Sequence, residues 1–228
     1  MLKKAVKKFL SVVLATAMVV SSITVYGASV KVPEDRVLTS VKEYSIAPGI
    51  KEKHITTVDK DGNNQVQAYM AEIDLKTTSV GMIAGHKNYD KTGKWGMQTV
   101  RDQAKAAEKA TGKTIVAAIN GDYFDMGTGQ PWGSLVMGGD IVQTQNDHPY
   151  FAIMKDGTAD CREAYEPLDD VVEAIGSPFF LVKDGKALEE LAADPYAMPR
   201  CAVGIKADGS VIIYEADGRQ APKSCGQS

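Results

Sequence analysis

Apolar and polar residues alternate along one early stretch of the chain. Val66, Ala68 and Met70 occupy every second position between polar neighbours, which is the period of a half-buried strand. A second strand-like run covers residues 54–58, and Asp61-Gly62-Asn63-Asn64 between the two is rich in residues that form tight turns. The pattern predicts a β-hairpin with strands over residues 54–58 and 65–75.

Helical spacing appears once with clear end signals. Thr99 followed by Asp102 forms a capping-box pattern, Val100 and Ala104 begin an apolar stripe, and Gly112 marks the end. We predict a helix of about three turns. The helix leads directly into a strand over Thr114–Ile119 and is expected to pack on the sheet.

Short apolar runs separated by Asp-Gly or Gly-Gly pairs fill the rest of the chain. Such pairs tolerate the positive φ of tight hairpins. Further strands are predicted over residues 80–84, 135–137, 141–142, 151–154, 179–182, 202–205 and 211–214, with short helices or turns over 166–174 and 188–193. The expected fold class is α+β: a mostly antiparallel mixed sheet with hairpins and one or two packed helices, in a single domain.

The N-terminus resembles a targeting segment. A lysine-rich start precedes an apolar run over residues 9–20, and small residues follow near Gly27 and Ala28. This layout predicts a signal peptide over residues 1–28; the alternative, a transmembrane anchor, is disfavoured because the run is short. We expect a linker or approach segment over residues 29–53 and a domain over 54–228, in a secreted or extracytoplasmic, cell-envelope-associated protein.

Composition adds few constraints. With 26 basic and 29 acidic side chains, the 228-residue chain has no basic excess of the kind that nucleic-acid binders show. The three cysteines, Cys161, Cys201 and Cys225, cannot all pair within one chain. Small buried thiols are expected, with a bridge between Cys201 and Cys225 as the alternative.

Polar residues suited to catalysis follow the apolar stretch that ends at Ile119. Asn120, Asp122 and Asp125 are carried beside glycines and aromatic residues. Two carboxylates near a scissile bond can divide acid and base catalysis. The alternative is that these side chains only cap the turn.

Further polar candidates occur later. Arg200 directly precedes a predicted strand, and Asp217-Gly218-Arg219 follows another. Arginine suits a bidentate grip on phosphate, although Asp217-Gly218 could equally be one more hairpin turn. His148 is a candidate acid or ligand, or else an exposed loop histidine. The glycine-rich loops match neither a P-loop nor a dinucleotide fingerprint, and no serine lies in a Gly-x-Ser-x-Gly elbow.

Four motifs in order resemble the phosphodiester glycosidase domain over about residues 65–228. They are Ala118-Ile119-Asn120-Gly121-Asp122-Tyr123-Phe124, Pro131-Trp132-Gly133, Pro199-Arg200-Cys201-Ala202-Val203-Gly204-Ile205 and Asp217-Gly218-Arg219-Gln220. Asp122-Tyr123 and Cys201 depart from the usual family residues. Members usually continue to an Asp-Gly-Gly-Gly-Ser motif that is not reached by Ser228, so the resemblance implies a C-terminally incomplete domain.

The resemblance implies that Asn120, Asp122, Arg200, Asp217 and Arg219 lie around one pocket. The expected catalytic residues are Asn120, Asp122 and Asp217. The expected substrate-binding residues are Gly121, His148, Arg200, Gly218 and Arg219. No cofactor is certain; Asp and Asn oxygens would suit a divalent cation.

The implied function is that of an exported hydrolase cleaving the glycosidic bond of a sugar-1-phosphodiester in cell-envelope or extracellular polysaccharide. A sugar phosphodiester or polysaccharide is the expected partner, with no nucleic acid and no membrane span after signal cleavage. The rival hypothesis is a non-catalytic carbohydrate-binding or envelope-structural module, with sugar-stacking surfaces at Trp95, Trp132, Tyr123 and Tyr150. A third alternative is an incompletely folded fragment that does neither.

Overall fold

Antiparallel strands dominate the computed structural model, which describes residues 30–77, 79–145, 147–188 and 196–227. The strands are β1 Arg36–Ala47, β2 Ile50–Asp59, β3 Val66–Ile73, β4 Leu135–Met137, β5 Asp140–Gln143, β6 Tyr150–Met154, β7 Ala159–Arg162, β8 Val171–Gly176, β9 Val182–Lys183, β10 Lys186–Ala187, β11 Arg200–Ile205 and β12 Val211–Ala216. A 3-10 turn spans Lys87–Tyr89, and helix α1 spans Val100–Thr111.

Two five-stranded sheets organise these strands. The first sheet has the order β1-β2-β3-β12-β11 and the second β5-β4-β8-β6-β7, while β9 and β10 form a separate pair. Ile50, Ile73 and Val211 of the first sheet share a buried cluster with Phe151 and Ile153 of the second. The two sheets therefore pack against each other through apolar side chains.

The predicted hairpin is confirmed as β2–β3. The strands pair antiparallel, with His54 opposite Tyr69 and Ile55 opposite Ala68. Val66 and Ala68 are buried with Ile55 on one face, as the alternation predicts. Strands β4, β5, β6, β11 and β12 also occur where the pattern predicts them.

The predicted helix is confirmed together with both of its ends. The Oγ1 of Thr99 accepts a hydrogen bond from the N–H of Asp102 at 3.2 Å. Gly112 ends the helix with φ +69°, in the left-handed region that glycine adopts at low cost. Ala107 is the residue that α1 buries.

The predicted α+β class is wrong. The described residues are mostly β, with three antiparallel sheets and a single α-helix. The helix offers mainly small alanines to its neighbours and lies near the Lys87–Tyr89 turn. The two sheets cover each other, so a helical layer is not needed to bury their apolar faces.

Two segments have a different secondary structure from the prediction. Arg36–Ala47 was expected as linker, but it is an edge strand paired along β2. Its apolar residues do not alternate strictly with polar ones, since Val37 and Leu38 are adjacent, so the sequence shows no clear strand period. Val171–Gly176 is strand β8 and not a short helix or turn, and residues 80–84 and 179–181 lie outside named strands.

The segment Thr114–Ile119 is not the buried strand that its composition predicts. Val116 is 46% exposed. In the described part of the chain, the backbone groups of residues 116–121 have no hydrogen-bond partner. Apolar composition predicts burial only when a neighbouring strand is available, and neither sheet pairs with this segment.

All three cysteines are free, so the alternative of a disulfide bond between Cys201 and Cys225 is not realised. Cys161 and Cys201 are exposed, which makes the prediction of burial wrong for both. Within the described ranges, no helix combines the length and hydropathy needed to cross a bilayer. The predicted signal peptide and most of the 188–193 helix candidate lie outside the described residues.

Candidate functional site

Asp122 has a half-buried carboxylate at the start of the loop over residues 122–133, which we call the Asp122 loop. Its Oδ2 accepts a short hydrogen bond from the backbone N–H of Gly133. The loop between these residues is closed by backbone hydrogen bonds, including one of 2.8 Å from the N–H of Trp132 to the carbonyl of Tyr123. The loop thus returns the chain to Asp122 and fixes one carboxylate oxygen.

Two glycines make room for this carboxylate. A Cβ on Gly176 would lie 2.5 Å from Oδ2 of Asp122 and 2.5 Å from the Cα of Gly133. A Cβ on Gly133 would lie 2.5 Å from the Cα of Gly176. The site requires glycine at both positions because the two backbones and the carboxylate occupy the space of any side chain.

The environment of Asp122 raises the pKa of its carboxyl group. Burial raises the pKa of Asp122, while the N–H groups of Gly133 and Tyr123 and the nearby His148 lower it; burial has the largest effect. A carboxyl group whose pKa is raised in this way can act as a general acid.

Asp125 has a structural role in the same loop. Its Oδ1 accepts hydrogen bonds from the N–H groups of Gly127 at 3.0 Å and Thr128 at 2.7 Å. These bonds, with one from the hydroxyl of Thr128, lower the pKa of Asp125. The sequence left open whether Asp125 takes part in catalysis or caps the turn, and its hydrogen bonds show that it caps the turn.

Asn120 and Gly121 immediately precede the acid. Asn120 is exposed, and its side chain forms no hydrogen bond within the described residues. Gly121 approaches β8, where a Cβ would lie 3.3 Å from Cδ1 of Ile175. The catalytic role of Asn120 and the binding role of Gly121 stay predictions.

His148 belongs to the surroundings of the Asp122 carboxylate. It borders a cleft that also includes Trp132 and Gln143, and it influences the pKa of Asp122. The structure therefore brings together two of the sequence-predicted site residues, Asp122 and His148.

Asp217 belongs to a second group at the end of β12. Its N–H donates to the carbonyl of Gln67 at 2.9 Å, and its own carbonyl accepts from the Oγ of Ser224 at 2.7 Å. Gly218 passes so close to the chain that a Cβ would lie 2.5 Å from the N of Pro199. At the Asp217-Gly218 pair the chain therefore packs against Pro199, and the pair is not one more hairpin turn.

Arg219 has an uncommon backbone conformation in this second group. Its φ is +58°, in the left-handed region that non-glycine residues rarely adopt. The residue is exposed, and its Nη2 lies 3.2 Å from the Sδ of Met198. Such conformations concentrate at functional sites.

Arg200 begins β11, opposite Ala216. Its guanidinium donates from Nε to the carbonyl of Gln227 at 3.1 Å and from Nη2 to the carbonyl of Tyr196 at 3.0 Å. The next residue, Cys201, is exposed as a residue, but partial desolvation of its thiol and the charge of Glu215 raise the thiol pKa to about 11. Cys201 is therefore a neutral thiol near pH 7.

Glu215 is a polar group of this region that sequence reasoning missed. It lies opposite Tyr69 on the neighbouring strand β3. Burial and the charge of Asp217 raise the pKa of Glu215. The available signal was its place near the end of the predicted strand, two residues before Asp217.

The two groups of predicted residues are not directly bonded to each other in the described part of the chain. No hydrogen bond or ion pair there joins Asp122 or His148 to Asp217 or Arg219. Nor do three His, Cys, Asp or Glu side chains come together as metal ligands among the described residues. A single pocket that includes both groups stays a prediction.

Comparison with known proteins agrees with the motifs. A family model described as phosphodiester glycosidase matches residues 113–226, which is half of the chain. The chain belongs to the phosphodiester glycosidase family. The matched span includes the Asp122 loop, β4–β12 and the Asp217-Gly218-Arg219 turn. No curated protein matches the chain.

Two solved structures share the fold at low sequence identity. One is the catalytic domain of zebrafish N-acetylglucosamine-1-phosphodiester α-N-acetylglucosaminidase, auto-inhibited by its pro-peptide, with TM-score 0.59 and 19% identity over 85% of this chain and 69% of that one. The other is a hypothetical protein from Synechocystis, with TM-score 0.60 and 11% identity over 83% of this chain. The match spans 54% of the Synechocystis protein, about half of its length.

Proposed function

We propose that the protein is an exported hydrolase that cleaves the glycosidic bond of a sugar-1-phosphodiester in cell-envelope or extracellular polysaccharide. The observation that carries this proposal is the half-buried Asp122, whose pKa is raised and whose Oδ2 is fixed by the N–H of Gly133. Membership of the phosphodiester glycosidase family supports the reaction class.

The reaction requires one proton at the leaving oxygen. In the proposed step the bond between the anomeric carbon and the phosphate oxygen breaks, and Asp122 donates its proton to that oxygen. The oxygen of water bonds to the anomeric carbon, and the proton released from the water restores the acid. The products are the free sugar and a phosphate monoester.

The negative charge of the phosphodiester is bound, in this proposal, by the second group of polar residues at the end of β12. Arg200 and Arg219 bind the phosphate in this proposal because guanidinium groups suit its oxygens. Gly218 holds the Arg219 turn against Pro199, and Asp217 supplies a second carboxylate. Asn120 and Gly121 approach the substrate from the side of Asp122. A divalent cation stays a prediction, which activity after EDTA treatment tests.

The zebrafish enzyme suggests the first substrate to test. Its name describes action on an N-acetylglucosamine-1-phosphodiester. We propose a phosphodiester of α-linked N-acetylglucosamine as the starting substrate for this protein. Hydrolysis assays with a panel of phosphodiesters then identify the natural sugar and the group on the other side of the phosphate.

Isotope labelling tests the proposal and identifies the bond that breaks. The full chain is incubated with an N-acetylglucosamine-1-phosphodiester in H₂¹⁸O, and the products are analysed by mass spectrometry before the anomeric oxygen exchanges. Label in the sugar and an unlabelled phosphate monoester are expected. Label in the phosphate would indicate a phosphodiesterase and overturn the proposal, as would the absence of products.

A carbohydrate-binding module is the second candidate function. It is favoured by the exposed ring pair of Tyr123 and Trp132, whose centroids lie 5.8 Å apart. Glycan binding without product on prolonged incubation would support this function.

A further inference from the structure

A cleft beside Asp122 has a volume of about 310 Å³. Its lining residues are Asp125, Gln130, Pro131, Trp132, Gln143, Gln145 and His148. Small-molecule sites begin at about this volume, so the cleft suits a single sugar ring better than a longer ligand. Of these lining residues, only His148 has a role in the acid catalysis proposed for Asp122.

The lining chemistry indicates the charge of the ligand. Three of the described lining residues carry carboxamides, and none is a lysine or an arginine. A carboxamide both donates and accepts hydrogen bonds, as sugar hydroxyls do. A phosphate group is bound most strongly by lysine or arginine, and the carboxylate of Asp125 in the lining would repel it. The cleft therefore matches an uncharged polyol and not the phosphate.

Trp132 provides a flat apolar surface in the cleft. The residue is 51% exposed, so a ligand can reach its ring. Tyr123 contacts it edge to face, and its backbone N–H is bonded to the Tyr123 carbonyl at 2.8 Å. An exposed ring on a fixed backbone can stack against the C–H face of a pyranose with little loss of conformational entropy.

Gln143 links the cleft to the acid. Its Nε2 donates to the carbonyl of Gly133 at 3.0 Å, and its Oε1 accepts from the Nε2 of Gln130 at 2.8 Å. Gly133 is the residue whose N–H binds Asp122. The wall of the cleft and the acid are therefore held by the same short turn.

We propose that this cleft is a binding site for an uncharged pyranose ring, which stacks on Trp132 and bonds to the amides of Gln130 and Gln145. The sugar's anomeric carbon lies toward Asp122 and His148, and the phosphate lies outside the cleft. This orientation rests on the proposed function, but binding of the sugar does not require hydrolysis.

The chain's tryptophan content makes the site directly observable. Trp95 and Trp132 are the two tryptophans of the sequence. The Trp95→Phe variant isolates the fluorescence of Trp132, and the two indole N–H signals in the NMR spectrum of the parent chain give the same information without a substitution. N-acetylglucosamine, glucose and inorganic phosphate are titrated separately.

A saturable change at Trp132 is expected with a neutral sugar, and no saturable change with phosphate. Gln130→Leu is expected to weaken sugar binding by about tenfold, since it removes one hydrogen-bonding group. Gln65→Leu, directly before strand β3 and outside the cleft, is the control expected to bind like the parent.

Several results would overturn the inference. They are a Trp132 signal that neither sugar changes in the folded chain, saturation by phosphate, or equal affinity in Gln130→Leu and Gln65→Leu. Hydrolysis with an unchanged Trp132 signal would contradict the sugar site at Trp132 but agree with the proposed function. Sugar binding at Trp132 without hydrolysis would support the sugar site but contradict the proposed function.

Discussion

Gly133 and Gly176 pass so closely that a Cβ on either would lie 2.5 Å from the Cα of the other. The same position on Gly176 would lie 2.5 Å from Oδ2 of Asp122. We expect Gly176→Ala to displace the carboxylate, to destabilise the fold by about 1–3 kcal/mol, and to reduce hydrolysis. Thermal unfolding and steady-state kinetics measure both effects.

Gly204→Ala is the matched control for that change. Gly204 lies in strand β11, and a Cβ there would have no neighbour within 4 Å. A Gly176→Ala protein with the stability and activity of Gly204→Ala would contradict the crowded geometry around Asp122.

The pH dependence of hydrolysis is expected to follow Asp122. The raised pKa of this carboxyl keeps the proton needed by a general acid, so activity falls as the pH rises through that pKa. His148 lowers the pKa of Asp122, and His148→Gln should therefore move the basic limb of the kcat profile to higher pH. His54→Gln, in the first sheet, should leave the limb in place. A shift to lower pH in His148→Gln would refute the electrostatic coupling.

Ser224 is expected to stabilise the second group of polar residues. It is 1% exposed, and its Oγ joins the N–H of Gln67 to the carbonyl of Asp217. Ser224→Ala leaves both backbone groups without this partner, which should cost about 1–3 kcal/mol in the free energy of unfolding. The exposed Ser45 is the control, with an expected change within about 0.5 kcal/mol for Ser45→Ala. Equal stability of the two variants would count against the bridge.

Two valines test whether the segment Thr114–Ile119 is exposed, as the structure shows, or buried, as its composition predicts. Val136 is fully buried in the second sheet, whereas Val116 is 46% exposed. Val136→Ala should cost about 1.5 kcal/mol or more from lost burial and the cavity. Val116→Ala should change the free energy of unfolding by about 0.5 kcal/mol or less. Urea denaturation distinguishes them, and a large loss at Val116 would show that the segment is buried.

Local signals predicted local structure well. Thr99, Asp102 and Gly112 determine the helix ends through neighbouring atoms, and the Asp61–Asn64 turn determines the β2–β3 hairpin. Val116 shows the limit of such reasoning. Its burial depends on a strand partner elsewhere in the chain, which composition does not reveal.

The candidate site was predictable in its residues but not in its geometry. The motif around Asp122 indicated a polar loop, and Asp122 and His148 do lie together. The space around the Asp122 carboxylate depends on Gly176, which is 54 positions away in sequence and has no motif of its own. Glu215 was missed because its significance depends on its pairing with Tyr69.

The most direct test compares Asp122→Asn with Asp156→Asn in hydrolysis of the N-acetylglucosamine-1-phosphodiester. Both variants replace a carboxylate by an isosteric amide, but the side chain of Asp156 bonds to Thr158 of its own turn and does not line the cleft. Loss of the acid should lower kcat by about 10²–10⁴-fold in Asp122→Asn, with Asp156→Asn close to the parent. A folded Asp122→Asn protein with parental kcat would contradict the account.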